Sequence, residues 1–523
     1  MTTPAHFAKI HPEKSAVILG DHVLSYAQLD GRSASTARLF RACGLGVGSV
    51  VALLTENNVD TFVVSWATQR SGLYLVPIGT KLTAVEIAYI LSDCQAGILV
   101  CSSAMVPLAQ AAIAALGAEG QSLQVFEFGG TGDHYDALVN AAYACAHHDL
   151  VEVEGADMLY TSGTTGRPKG VKRALSGVAF GADTSRSDRS RDLFDMDGET
   201  VFLSPAPLYH AAPLRFAMSV HRLGGTVVLM DRFDAIAAWG LLHSHGVTHS
   251  QWAPTMFNRL LGTKAVLTPH ALPQHHRVAI HAGAPCPIPV KHAMVEWWGP
   301  ILHEYYSGTE SIGFTHIDSH DWLKKVGSVG QPIGCKAHIV DAATGNSLPP
   351  LHTGGVYFEG RATLSYHNGD DKTAAATHAN GWATMGDIGH LDADGFLFLT
   401  DRVAFTIISG GVNIYPKEVE DALMQIDFID DVAVFGISDA DLGEAVTAAI
   451  VLKSGINETA ATARTIGEKL GPILSAVKRP KRVLFCDALP RSDAGKLLKR
   501  DLQALFTVSQ PPLTFPIREV VSA

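Results

Sequence analysis

Two uninterrupted apolar runs, SVVALLT at 49–55 and AGILVCSS at 96–103, bracket a stretch with helical periodicity, TAVEIAYILSDC at 83–94. A strand that is apolar on both faces must be covered on both faces, which places it inside a layered sheet. Thr83 and Glu86 have the spacing of a capping box, and Ile87, Ile90, Leu91 and Cys94 recur at i, i+3, i+4 and i+7. Strand, helix and strand in this rhythm predict a parallel sheet flanked by helices, an α/β fold. GGTVVLM at 224–230 predicts a further buried strand.

Near residue 400 the pattern changes. GFLFLTDR at 395–402 ends a strand-like run, and SGGVNIYPKEVEDALMQI at 409–426 turns at a glycine pair before a helix that begins at Pro416. Val419, Ala422, Leu423 and Ile426 give that helix one apolar face. DVAVFGI and TAAIVL follow as strands, then a helix near 459–477. This reads as a small α+β unit of about 120 residues. The boundary falls at Asp401–Phe405, giving domains 1–402 and 403–523. A chain of 523 residues is in any case too long for one core.

With 47% hydrophobic and 17% charged residues the composition is globular, and a net charge of −11 argues against general nucleic-acid binding, which needs a basic face. The seven cysteines form no CxxC pair, which supports neither a zinc knuckle nor a redox dithiol and suits a reducing cytosol. The N-terminus has no apolar signal core, and no run of about 18 apolar residues occurs. The expected location is cytoplasmic.

Against this background stands LYTSGTTGRPKG, residues 159–170. A strand over 157–160 would lead into a loop whose glycines let backbone approach a ligand. Its free N–H groups and the hydroxyls of Thr161, Ser162, Thr164 and Thr165 can donate to phosphate oxygens, with Lys169 as a point charge. It is not a Walker A loop, whose lysine follows glycine and precedes Ser or Thr. Here Lys169 follows Pro168 and precedes Gly170. Taken alone, the stretch also fits a polar surface turn.

YTSGTTGRPKG resembles the phosphate-binding loop of the acyl-adenylate-forming enzymes, a superfamily of acyl-CoA synthetases, peptide-synthetase adenylation domains and luciferases. Further motifs follow in the family's order across most of the chain. The resemblance implies a large N-terminal domain of β/α layered sheets with a barrel-like part, and a small mobile C-terminal domain. It implies ATP, Mg²⁺ and CoA as cofactor and co-substrates. The loop residues Thr161, Ser162, Gly163, Thr164, Thr165 and Gly166 would bind ATP with Lys169. YYSGTES at 305–311 is similar to the motif in which Thr309 contacts the α-phosphate and Glu310 holds Mg²⁺, with Thr161 a second metal contact; Tyr305, Tyr306, Ser307 and Gly308 would complete the nucleotide contacts. HAGAP at 281–285 is similar to the adenine turn, implicating Gly283, Ala284 and Pro285. Asp387 would take the ribose hydroxyls and Arg402 would sit by ribose and phosphate. PRSDAGKLLKRDL at 490–502 carries the implied catalytic lysine, Lys496.

The resemblance also implies that the C-terminal domain rotates after Arg402, bringing Gly410 and Gly411 toward the thiol channel. The usual charged hinge pair is missing: Ala404 stands at the pivot and Phe405 replaces an acid. His210 would gate the acyl site, with Trp252, Met256, His281 and Phe314 lining it. That apolar lining implies a fatty, aromatic or alicyclic monocarboxylate; Arg215 is the nearest cation for a second acid group. The expected partner is that small carboxylic acid, with no nucleic acid and no transmembrane segment, and a second copy of the chain as a further candidate. Two rival readings remain at this point: an adenylating enzyme that loads a carrier protein, and a non-catalytic nucleotide-binding protein.

Overall fold

The computed structural model describes residues 3–129, 150–161, 168–267, 271–360, 365–402, 405–409, 412–439, 442–491, 497–499, 501–503 and 517–522. The chain divides into two compact units. The first comprises Met1–Ala282, Met294–Ser311 and Thr363–Ala375; the second comprises Gly283–Ala293, Ile312–Ala362 and Ala376–Ala523.

The first unit holds two parallel sheets. In one, the strands run in the order Gln124–Phe128, Ala96–Ser102, Val50–Leu54, Tyr74–Ile78 and Ala156–Thr161, all parallel, with Lys169–Lys172 added antiparallel at the edge. Every residue of Val50–Leu54 is buried, as its unbroken apolar run requires. The helix Ala84–Asp93 starts at the expected capping box: Thr83 Oγ1 accepts from the Glu86 N–H, and the Glu86 carboxylate accepts from the Thr83 N–H at 2.8 Å. In the other sheet the order is Leu302–Tyr306, Val278–His281, His249–Trp252, Val201–Ser204, Thr226–Leu229, Ser15–Leu19 and His22–Ser25, parallel except for the last hairpin. Asn57 ties the two sheets together. Its amide donates to Met230 O at 2.8 Å and its Oδ1 accepts from the Leu208 N–H at 2.8 Å.

Three buried histidines hold this unit together in their neutral form. Trp66 Nε1, which can only donate, donates to His221 Nδ1 at 3.2 Å, and His221 Nε2 donates to Ala16 O at 3.0 Å. Protonation at Nδ1 would turn the Trp66 contact into a clash of two donors. His249 Nε2 donates to Phe194 O at 2.8 Å, while Ser250 Oγ, which accepts from Trp252 Nε1 at 2.6 Å, donates to His276 Nε2 at 2.8 Å.

The second unit carries an antiparallel sheet, Lys336–Val340, Gly354–Glu359, Ala383–Leu391 and Leu397–Arg402. Beyond residue 405 lies a separate α+β assembly. The long hairpin Ile429–Asp439 and Gly443–Leu452 is joined by Arg482–Cys486, which is parallel to the latter. The helices Pro416–Leu423 and Ala460–Leu470 contribute Val419, Leu423, Ala463, Ile466 and Leu470 to its core, and Pro416 stands in the first turn as expected. The second of these helices is shorter than its sequence pattern, because Gly471 caps it and Pro472 follows. The fold class read from the sequence is therefore the one observed. No helix among the described residues is long and apolar enough to cross a membrane.

Burial pushes His221 and His249 down from 6.5 to about 4 and His276 to about 3. The unfolded chain takes up these protons near pH 6.5 while the folded chain refuses them until much lower pH. Their stabilising contribution is therefore complete above about pH 6.5 and lost as pH falls toward 4. At pH 5 each histidine should cost about 2 kcal/mol. Thermal melts between pH 7.5 and 5 should show a steep fall in Tm, and a flat profile would contradict the neutral-histidine assignment.

Candidate active site

The strand Ala156–Thr161 runs into the glycine- and hydroxyl-rich loop and returns through Lys169–Lys172, with Thr161 opposite Lys169. Residues 162–167 lie outside the described residues, as do Gly410, Gly411, Ala404 and Lys496; the side chains of Thr161 and Arg402 are likewise undescribed. Tyr160 Oη donates to Asp93 at 2.5 Å. On the far edge, His367 N donates to Gly170 O at 2.8 Å and Val171 bridges Tyr366, so residues 365–367 extend the sheet. This backbone pairing fixes Tyr366 beside the returning strand. The Lys169 ammonium lies 5.3 Å from the Tyr366 ring centroid. Tyr366 Oη donates to Glu310 Oε1 at 3.0 Å.

Glu310 stands in the turn that follows the strand Leu302–Tyr306. The turn closes with Ser311 N donating to Gly308 O at 3.1 Å and places Ser311 at φ +56°, a left-handed conformation unusual for serine. Arg215, on the helix Ala211–Leu223, reaches it from below. Its Nη1 lies 3.3 Å from Ser311 Oγ and 3.4 Å from Thr309 O. The same guanidinium holds Asp157 through Nε at 2.9 Å and Nη2 at 2.5 Å, and Arg186 holds the other Asp157 oxygen at 2.9 Å. Burial alone would raise the Asp157 carboxyl. The Arg186 and Arg215 charges outweigh it and hold the group well below the usual carboxylate range. Arg173, just past the returning strand, is pushed down to about 10 by burial first and then by Arg186 and Arg215. Lys169, Arg173, Arg186 and Arg215 are interleaved with the carboxylates Asp93, Asp157, Asp183 and Glu310 around the strand that enters the loop.

The structure thus brings Lys169, Thr309 and Glu310 together through Tyr366 and Arg215. His210 occupies the N-cap position of the helix Ala211–Leu223, its ring 4.7 Å from Tyr209. Tyr305 is buried and receives a long 3.5 Å contact from Gln251 Nε2; Tyr306, Ser307 and Gly308 are half-buried. Trp252 and Met256 are buried, with the Trp252 ring 5.5 Å from Trp298, and His281 is fully enclosed with Nε2 at 3.7 Å from Glu304. In the second unit, Gly283 has φ +88° with open space beside its Cα, a geometry only glycine takes freely, and Ala284 and Pro285 follow it on the surface turn. Asp387 is buried on Ala383–Leu391, in backbone register with Arg402; Phe314 is also buried in that unit.

Asp157, Arg186 and Tyr366 were not singled out from the sequence. Nothing local couples residues 157 and 215, and Tyr366 sits in LSYHNG, which carries no motif of its own. The one available signal was a charged residue inside an otherwise apolar strand, since an Asp there demands a cation.

Comparison with known proteins places this arrangement. The family model described as AMP-binding enzyme matches residues 5–366, and AMP-binding enzyme C-terminal domain matches residues 418–496. The long-chain-fatty-acid–CoA ligase FadD13 of Mycobacterium tuberculosis is 30% identical over 502 residues, 93% of this chain and 94% of that one. ATP-bound MatB from Rhodopseudomonas palustris superposes with TM-score 0.82 at 27% identity, covering 96% of this chain and 99% of that one. The o-succinylbenzoate CoA synthetase MenE of Bacillus subtilis, in complex with the acyl-adenylate intermediate OSB-AMP, gives TM-score 0.77 at 26% identity, covering 97% and 98%. The chain belongs to the AMP-binding enzyme family, the acyl-adenylate-forming superfamily. Within it, the chain is an AMP-forming acyl-CoA synthetase, with ATP and CoA as substrates.

Removing the Tyr366 hydroxyl leaves the ring over Lys169 but frees the Glu310 carboxylate. Tyr366→Phe should fold normally and slow pyrophosphate release about tenfold, because a hydrogen bond to a charged group is worth about 1.5–3 kcal/mol. Steady-state pyrophosphate assays on the variant and the parent check this.

Proposed function

We propose that this enzyme activates an apolar monocarboxylic acid, of fatty, aromatic or alicyclic type, as its acyl-adenylate and passes the acyl group to CoA in the cytoplasm. The observation that carries the reading is the Lys169–Tyr366–Glu310 cluster beside the loop strand, in a chain of this family. For the acid, the support is that Trp252 and His281 are buried against the Phe257 ring, that Met256 is buried, and that Arg215 is engaged by Asp157. A second carboxylate would be stranded there. Cys94, Cys101 and Cys486 are buried, and burial pushes their thiols up to about 12, which keeps them protonated and unreactive.

A carboxylate is a poor acyl donor because oxide is a poor leaving group. Its oxygen attacks the α-phosphorus of ATP, the bond to the β-phosphate oxygen breaks, and pyrophosphate leaves. Charge grows on the α-phosphoryl oxygens, where Lys169, the 161–166 loop, Thr309 and Lys496 stabilise it by position and charge. Glu310, a hard oxygen donor held by Tyr366, fits a Mg²⁺ ion carried on the triphosphate, which would neutralise part of its charge. The CoA thiol then attacks the acyl carbonyl and AMP departs. Gly283, Ala284 and Pro285 carry the adenine, Asp387 and Arg402 the ribose. Residues 403–523 form the mobile domain, with Ala404 at the pivot. Beside that pivot, Asp401 accepts from the Lys417 N–H at 2.9 Å, and Lys499 lies over the Phe405 ring and pairs with Glu420 at 2.7 Å.

The test is kcat/KM for thioester formation over acetate, hexanoate, decanoate, a cinnamate-type acid and adipate. Efficiency should rise steeply with apolar size, by roughly tenfold or more per methylene at first, and adipate should lag hexanoate. Acetate or adipate in first place would refute the acyl assignment.

Lys496→Ala separates the two half-reactions. It should abolish pyrophosphate release from ATP and acid, yet leave thioester formation from synthetic acyl-adenylate and CoA intact. Equal loss in both would place Lys496 elsewhere.

A further inference from the structure

We propose that Arg215 is a positioning residue for the adenylation step, which rests on the ligase reading above. One guanidinium joins two pieces of the site that are far apart in sequence. Through Nε and Nη2 it grips Asp157, four residues before the loop on the strand Ala156–Thr161, and through Nη1 and Nη2 it reaches Thr309 O and Ser311 Oγ in the turn that carries Glu310. The planar fork does this without bending, which a lysine ammonium cannot.

The chemistry needs such a link. Thr309 and Glu310 act only if they stand at a fixed distance from the loop that holds the same phosphates, and a misplacement of about 1 Å in such a set costs on the order of 100-fold. The turn holds Ser311 at a left-handed φ of +56°, closed by Ser311 N to Gly308 O at 3.1 Å and by a long Ser311 Oγ to Thr309 O contact at 3.4 Å, so a support from outside it helps fix its geometry. The Arg215 contacts to it are long, 3.3–3.4 Å, and can tighten when a nucleotide loads the turn. Arg186 keeps Asp157 paired even without Arg215, so the strand's buried charge is not orphaned by a substitution at 215. Beside the guanidinium lies a cavity of about 40 Å³ lined by Asp157, Arg186, Leu214, Met218 and Arg222. Truncation at 215 would enlarge it enough to admit a small guanidinium ion.

The experiment compares Arg215→Met, Arg215→Lys and Arg215→Ala in both half-reactions. Arg215→Met should slow pyrophosphate release about 100-fold and raise the Mg²⁺ concentration for half-maximal rate, while thioester formation from synthetic acyl-adenylate and CoA, which needs no pyrophosphate or metal held, falls far less. Arg215→Lys should fall between, because it holds Asp157 without reaching the turn. Ethylguanidinium added to Arg215→Ala should restore part of the pyrophosphate rate, an effect no general loss of fold would show. Parallel loss in both half-reactions, or parental pyrophosphate release and Mg²⁺ dependence in both Arg215→Met and Arg215→Lys, would overturn the proposal. If Arg215→Met does not fold, Arg215→Lys and the rescue decide alone. A parent enzyme that releases pyrophosphate with none of the acids overturns the ligase reading and this one with it; an active parent with insensitive variants overturns this one only.

Discussion

Asp157 is a carboxylate buried in a sheet strand, and such a group survives only with opposite charge around it. It receives that charge twice, from Arg186 on one helix and Arg215 on another. Removing one partner from a pair of this kind typically costs about 3–5 kcal/mol, but here the second arginine limits the damage. The double pairing anchors the helices Ser185–Phe194 and Ala211–Leu223 to the strand that enters the phosphate loop. The loop's approach, the helix behind it and the Glu310 turn are therefore referenced to one carboxylate.

The elements most legible in the sequence are those whose pattern needs no distant partner. The strand at 50–54, the helix at 84–93 with its capping box and the proline-started helix at 416 all follow from local chemistry. The strand His249–Trp252 does not. Its side chains His249, Ser250 and Gln251 are polar yet buried, and they are tolerated because partners such as Phe194 O and His276 come from elsewhere in the chain. The site divides in the same way. The phosphate-loop and SGTES motifs mark where nucleotide chemistry belongs, because short runs of Gly, Thr, Lys and Glu spell it. Tyr366 and Asp157 are invisible to that reading, since their roles exist only after residues 169, 310 and 366, or 157 and 215, have been brought together.

The C-terminal assembly is held by a different kind of contact. Glu420 accepts from the Val434 N–H at 2.8 Å and pairs with Lys499, so one helix carboxylate fastens the long hairpin and the chain's last described helical turn. Around it, Val419, Leu423, Ile466 and Phe485 form an apolar core of their own. The clasp and this core together fix the helix Pro416–Leu423 to the hairpin without help from the parallel sheets of the first unit.

The register between Ser15–Leu19 and Thr226–Leu229 sets an order of events at the ribosome. Val17 pairs with Val227 and Ile18 with Val228, so the first strand of this sheet meets its parallel neighbour only after roughly 200 further residues have been made. At about 5–20 residues per second of synthesis, that is an interval of some tens of seconds. During it the edge of Ser15–Leu19 stays unpaired, although the helix Tyr26–Ala42 already packs on the hairpin. The unpaired edge of Ser15–Leu19 thus waits for its parallel partner until residues 226–229 emerge.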